Sequence, residues 1–287
     1  MRTRISLLIP TVALAAALTG CGDDGPSKAG FVAKADAACA PGNDAISVTA
    51  KPTNAPQVAT AAGTAVTTID AQVGTLRAMK APGGKDKTQI QALVNAIADV
   101  SGPTRALQDA AGKPDDAAMS SAARDMQAKA DTAASSAEAY GMTQCGTLLK
   151  PGLGNIFDGV KNVVKTTYVS KAGGLCRDFL RKVNALPGPG SSLASAARAL
   201  DQLLPLQVKL TADLRALPVP PGDAGPVDEY LAAMEVLNTK TKEVGAAAKA
   251  NNPRLFVALA EELEVAGTAV TAKLDSYGLS VCGSVRG

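Results

Sequence analysis

One seven-residue stretch occurs twice in this chain, and its repetition limits what the chain can fold into. Tyr140-Gly141-Met142-Thr143-Gln144-Cys145-Gly146 stands near the middle, and Tyr277-Gly278-Leu279-Ser280-Val281-Cys282-Gly283 stands near the end. About a hundred residues before each, an aromatic residue precedes a cysteine by eight positions: Phe31 with Cys39, and Tyr168 with Cys176. Each of these landmarks recurs 137 positions later. Self-similarity at a fixed period marks a duplicated unit. The chain therefore reads as one module used twice, over residues 30–146 and 167–283, joined by a linker at 147–166.

The side chains available define what each module is built from. Of 287 residues 46% are hydrophobic, but only 3% are aromatic and none is Trp. Cores made of Ala, Leu and Val suit closely packed helices better than sheets, which favour β-branched and aromatic residues. The net charge is +3, of which Arg2 and Arg4 at the N-terminus supply two, so nothing here argues for a nucleic-acid partner.

Residues 1–20 read as a targeting segment. Met1-Arg2-Thr3-Arg4 is a basic start, and Ile5 to Leu18 is an apolar run too short to span a bilayer. It ends in Leu18-Thr19-Gly20-Cys21, which resembles the bacterial lipobox. That resemblance implies that Cys21 is acylated and becomes the first residue after cleavage. Several acyl chains (palmitate among them) anchor far more firmly than one. The mature chain then hangs from the outer face of the cytoplasmic membrane, with residues 21–29 as a polar, lipidated tether.

With Cys21 set aside, four cysteines remain in an exported, disulfide-permitting compartment. Four cysteines allow three pairings. A duplicated unit that once folded alone closes within itself, which selects Cys39–Cys145 and Cys176–Cys282. Zinc is the rival use of four thiols, but no Cys-x-x-Cys and no histidine is present to build a site.

Apolar residues at steps of three and four mark four helices per module. The last is the clearest. Phe256, Leu259, Leu263, Gly267, Val270, Leu274 and Tyr277 form one stripe after Asn252 and Pro253, a cap and a first-turn proline. Met119, Ala122, Met126, Ala130, Ala133, Ala137 and Tyr140 form the same stripe in the first copy. Gly278 and Gly141 are the expected left-handed stops. The smaller stripe predicts that the first module is the less stable.

Second helices are expected over Ala55–Lys80 and Ser192–Leu217, the latter bent at Pro205. Third helices are expected over Lys87–Ala111, broken at Ser101-Gly102-Pro103, and over Pro226–Ala250. Pro41 is expected to kink or interrupt the first helix. The expectation is an all-α protein of two tandem, up-down, antiparallel four-helix bundles, each tying its first helix to its last by a disulfide. Within the linker, Ile156, Phe157, Val160, Val163 and Val164 form an amphipathic lead-in expected to pack between the bundles.

With Phe31-Val32-Ala33-Lys34-Ala35-Asp36-Ala37-Ala38-Cys39 and Tyr-Gly-x-x-x-Cys-Gly in view, the chain resembles a family. These are uncharacterised secreted proteins and lipoproteins of high-GC Gram-positive, actinobacterial type. They read as an aromatic, Ala-Asp-x-x-Cys, a Leu-x-x-Leu-x-x-Pro-Pro segment, then Gly-Leu-x-x-Cys-Gly. The second copy departs at Ala172-Gly173-Gly174-Leu175-Cys176, so the role of Asp36 is not repeated there. The resemblance implies fold and location and carries no activity.

Chemistry is sparse. Without histidine there is no Ser-His or Cys-His pair, and no phosphate loop, dinucleotide fingerprint or Gly-x-Ser-x-Gly occurs. No catalytic residue, cofactor or metal site is assigned. Glu261, Glu262 and Glu264 face different sides of a helix and read as a solvated surface rather than a cation site. Asp115 and Asp116 read as first-turn acids that favour the helix dipole. Met79, Met119, Met126 and Met234 read as core filling, and Tyr140 and Tyr277 as lids beside the disulfides. The expected function is a non-catalytic envelope lipoprotein that binds a protein, glycan or lipid partner. The alternatives are a hydrolase working with carboxylates alone, and a carrier holding an apolar ligand in the Ala-rich first bundle.

Overall fold

The computed structural model describes residues 25–47, 51–147, 149, 152–188 and 190–283. The expected targeting segment, Cys21 and residues 22–24 of the expected tether lie outside the described residues. Helices build everything between: α1 (Lys28–Ser47), α2 (Ala55–Ala78), α3 (Lys85–Ala98), α4 (Ser101–Gly112), α5 (Asp116–Tyr140), α6 (Thr143–Thr147), α7 (Leu153–Asn184), α8 (Leu193–Arg215), α9 (Ala224–Lys249), α10 (Pro253–Tyr277) and α11 (Ser280–Gly283). No strand occurs among the described residues.

Local chemistry sets most of the ends. Asn54, Asp115 and Asn252 each place a side-chain oxygen on a first-turn backbone N–H, from Gln57, Ala118 and Leu255 respectively. These bonds satisfy donors that a helix start leaves unpaired. At the other end Gly141 (φ 100°) and Gly278 (φ 98°) take the left-handed conformation that stops α5 and α10.

Two prolines stand inside helices: Pro41 in α1 and Pro205 in α8, and both helices run on through them, so Pro41 does not interrupt the first helix. The expected third helix of the first copy is two helices, α3 and α4, separated at Asp99–Val100. Pro103 sits in the first turn of α4, where its missing N–H leaves no bond unmade.

Packing divides at residue 166. One buried cluster runs from Phe31 to Val164, and a second from Tyr168 to Cys282. In the first, α4 lies against both α2 and α5; in the second, α9 lies against both α8 and α10. The segment read as a linker is mostly helix. Residues 153–166 are the first half of α7, which continues without a break to Asn184. Leu153, Ile156, Val160 and Val164 are buried within the first cluster, and α7 touches α2 and α5 there. They pack inside the first half rather than between halves. Gly159 permits the close approach, because a Cβ at that position would collide with Pro52. The second half of α7 carries Tyr168, Ala172, Cys176 and Phe179 into the second cluster.

Burial is unequal in the two copies. Every member of the α5 stripe, from Met119 to Tyr140, is buried. On α10 only Val270, Leu274 and Tyr277 of the larger stripe are buried, while Phe256, Leu259, Leu263 and Gly267 are half-exposed. Area removed from water, not side-chain size, sets the hydrophobic contribution. The larger side chains of the second copy therefore do not translate into a better-sealed core.

Candidate functional site

Each copy is fastened at one end, and the first fastening shows what its motif residues do. Cys39 on α1 is bonded to Cys145 on α6, with Cα atoms 5.1 Å apart. Three residues before Cys39, the Asp36 carboxylate accepts from the backbone N–H of Thr143 (3.2 Å) and Gln144 (2.9 Å), and from the Thr143 hydroxyl (3.2 Å). An acid on one helix thus caps the short helix that carries the partner cysteine. Asn43 Nδ2 adds a bond to the Gln144 carbonyl at 2.9 Å. Phe31 meets Tyr140 edge-on at 6.4 Å, and the Lys28 ammonium stands 4.3 Å from the Tyr140 ring centre. Burial, with the nearby Asp86 carboxylate, raises the Tyr140 hydroxyl pKa above its ordinary value.

The second fastening repeats this plan with more polar groups. Cys176 on α7 is bonded to Cys282 on α11, Cα to Cα 5.0 Å. Gly173 occupies the position of Asp36, so this copy has no equivalent cap. Tyr168 meets Tyr277 edge-on at 5.8 Å, and Lys165 stands 4.4 Å from the Tyr277 ring centre. Asp223, only 4% exposed, accepts from the Tyr277 hydroxyl at 3.0 Å and pairs with Lys161 (3.0 Å) and Lys165 (3.3 Å). Burial alone would raise the Asp223 pKa, but the bonds from Lys161, Tyr277 and Lys165 outweigh it and hold the carboxyl below its usual range. The hydroxyls of Tyr168 and Tyr230 are hydrogen-bonded to each other in the core. Burial, reinforced for Tyr277 by the Asp223 charge, pushes the pKa of Tyr277, Tyr230 and Tyr168 up.

The spacing of 137 covers these added residues too. Lys28 and Lys165 are equivalent, as are Asp86 and Asp223. The repeat that identified the cysteines therefore contained the Lys–Tyr–Asp arrangement, although sequence reading followed only its aromatic and cysteine members. The tyrosines sit where they were expected, as buried aromatic lids.

A recess lies elsewhere. Between α8 and α10, with α9 as its floor, is an apolar groove of about 540 Å³ that reaches from the Cys282 end towards the opposite end. This size falls within the range of about 300–1,000 Å³ common for ligand sites. Leu203, Leu210, Met234, Leu237, Leu263 and Val270 form its apolar wall. Gln207, Asn238, Thr241, Thr268 and Thr271 supply its polar groups, and Glu264 is its one carboxylate. Asn238 is engaged with the Thr211 hydroxyl at 3.1 Å, and the Thr241 hydroxyl with the Leu237 carbonyl at 2.9 Å. Gln207 Oε1 is shielded from solvent and has no hydrogen-bond partner. A recess for an apolar ligand was expected in the Ala-rich first copy; this groove is in the second.

The remaining candidates are structural. Glu262 pairs with Lys240 at 2.6 Å, and Asp116 pairs with Lys171 of α7 at 2.9 Å. Met119, Met126 and Met234 are buried in the cores. Among the described residues no group of three or more acid, cysteine or histidine side chains converges as a metal site, and no helix is long and apolar enough to cross a membrane. No family model matches the chain, and neither curated proteins nor solved structures give a match.

Proposed function

We propose that this chain is a lipid-anchored protein of the cell envelope, held at the outer face of the cytoplasmic membrane through Cys21, that binds a partner without catalysing a reaction. The open apolar groove between α8 and α10 carries the reading, because it offers shape and apolar surface with only one carboxylate among its lining residues. A hydrolase using two carboxyls needs a pair facing each other. Asp36, the acid singled out by its motif, is occupied in capping α6. The resemblance to actinobacterial-type secreted lipoproteins supports the same location.

The arrangement that goes with this function is a tandem pair of up-down bundles, each stapled at one end. It is supported by the matched disulfides, the equal spacing of their neighbours and the division of buried residues into two clusters. The test is metabolic labelling with an alkyne-bearing palmitate in an actinobacterial host, followed by membrane fractionation. The wild-type chain is labelled and membrane-bound, whereas Cys21→Ser is unlabelled and released. An unlabelled, soluble wild-type chain overturns the proposal.

A further inference from the structure

The internal repeat shows what fills such a groove. The second helices match at a spacing of 138, as Leu76-Arg77-Ala78 and Leu214-Arg215-Ala216 show, and the later ones at 137. The positions equivalent to Leu203, Gln207, Leu237, Leu263 and Gly267 in the first copy are then Ala65, Ile69, Val100, Met126 and Ala130, and all five are fully buried. The first half of α7 is one of the helices that close that copy. It lies against both α2 and α5 and buries Leu153, Ile156, Val160 and Val164, residues that follow one another at steps of three and four. On α8 and α10, the counterparts of α2 and α5, no helix takes that place among the described residues, and the same five positions are half-exposed.

The lining also differs in kind. Where the covered copy has Ile69, the open copy has Gln207, whose shielded carbonyl oxygen has no partner. A buried acceptor left unpaired is costly, so turning the Gln207 amide to meet a donor in the groove relieves that cost. Glu264 on the facing wall, on α10, offers a negative charge where the covered copy has neutral Gln127.

From these observations we infer that the groove between α8 and α10 receives one amphipathic helix of a partner protein. That helix presents apolar residues at steps of three and four, as the first half of α7 does, a hydrogen-bond donor to Gln207, and a basic residue to Glu264. Laying the apolar face of a helix into such a groove is an established mode of recognition. The inference rests on the groove being the protein's binding surface, and it names the class of occupant.

The test uses the full chain from Gly22 onward and a fluorescein-labelled, helix-constrained peptide of residues 152–166, which carries Leu153, Ile156, Val160 and Val164 together with Lys161 and Lys165. A control peptide has Ile156 and Val160 replaced by Asp. Gly267→Trp fills the groove and Leu263→Glu places a charge on its wall; thermal melts establish which variants are folded, and either folded one suffices. Fluorescence anisotropy is expected to show saturable binding of the peptide, at least tenfold weaker for a folded groove variant and for the control. No binding to the wild-type chain, or equal binding to every folded variant, overturns the inference. Binding of a fluorescent sixteen-carbon fatty acid that is lost in the groove variants, with no peptide binding, also overturns it, while leaving the groove as a binding surface.

Discussion

The Lys165 ammonium stands 4.4 Å from the centre of the Tyr277 ring, and 137 residues earlier Lys28 stands 4.3 Å from that of Tyr140. In the second copy the tyrosine hydroxyl goes on to Asp223, which Lys161 and Lys165 also hold. A buried carboxylate is stable only when its charge is met by partners of this kind. This network joins α7 to the start of α9 and the end of α10, so it fixes the fastened end of the second copy.

Asp223→Asn is therefore expected to lower stability at pH 7 by about 1.5–3 kcal/mol, the range for hydrogen bonds to charged groups. The folded carboxyl titrates below its unfolded value of about 3.9. Its contribution is complete above the unfolded value and is lost as pH falls through the folded one. Urea melts of wild type and variant are expected to differ at pH 7 and to converge towards pH 2.

The three tyrosines of the second copy act in the opposite pH direction. Tyr168, Tyr230 and Tyr277 have raised pKa values, so they favour folding below about pH 10, where the unfolded phenol begins to ionise, and that contribution fades at higher pH. Absorbance near 295 nm followed with circular dichroism is expected to show these tyrosines ionising only together with loss of helix. Ionisation of all four tyrosines in a folded chain contradicts this.

Asp36 and Gly173 provide a matched pair of substitutions. Asp36→Ala removes the cap of α6 and is expected to cost about 1–2 kcal/mol. Gly173→Asp installs the same carboxylate at the equivalent place in the second copy, where a Cβ meets only Arg177 at an ordinary 3.5 Å. It is expected to raise stability by more than Gly173→Ala, which reports the loss of glycine from a helix alone, worth about 0.5–1 kcal/mol. Equal effects of Asp and Ala at 173 mean that the second copy cannot use the cap.

Much of this architecture was legible in the sequence, for physical reasons. Helix ends are decided by neighbours in the chain, so Asn252-Pro253, Gly141 and Gly278 could be read directly. A fixed repeat length carries long-range information, and so it pointed to the pairing of Cys39 with Cys145 and of Cys176 with Cys282. The course of α7 was not legible. The 3.6-residue stripe of Ile156, Val160 and Val164 marks an amphipathic helix, but nothing local says which core takes it. The open groove was hidden for the same reason, since Leu263 and Met126 sit on identical stripes and only tertiary packing seals one and leaves the other half-exposed. Lys165 and Asp223 lay within the repeat, but nothing local to either charged residue marks it as the partner of a buried tyrosine.

Unequal sealing should also show in local stability. Amide exchange followed by mass spectrometry is expected to be faster over residues 255–268 of α10 than over the equivalent 118–131 of α5, because fewer apolar contacts hold the former. Equal protection of the two stretches contradicts the difference in packing.

The most direct measurement places a cysteine at one repeat position in each copy, Ala130→Cys on α5 and Gly267→Cys on α10, and follows reaction with a maleimide in the folded chain without reductant. The position covered by α7 is expected to react at least tenfold more slowly than the position in the groove. Equal rates, or faster reaction at 130, contradict the claim that one stapled module occurs twice and is left open only in its second copy.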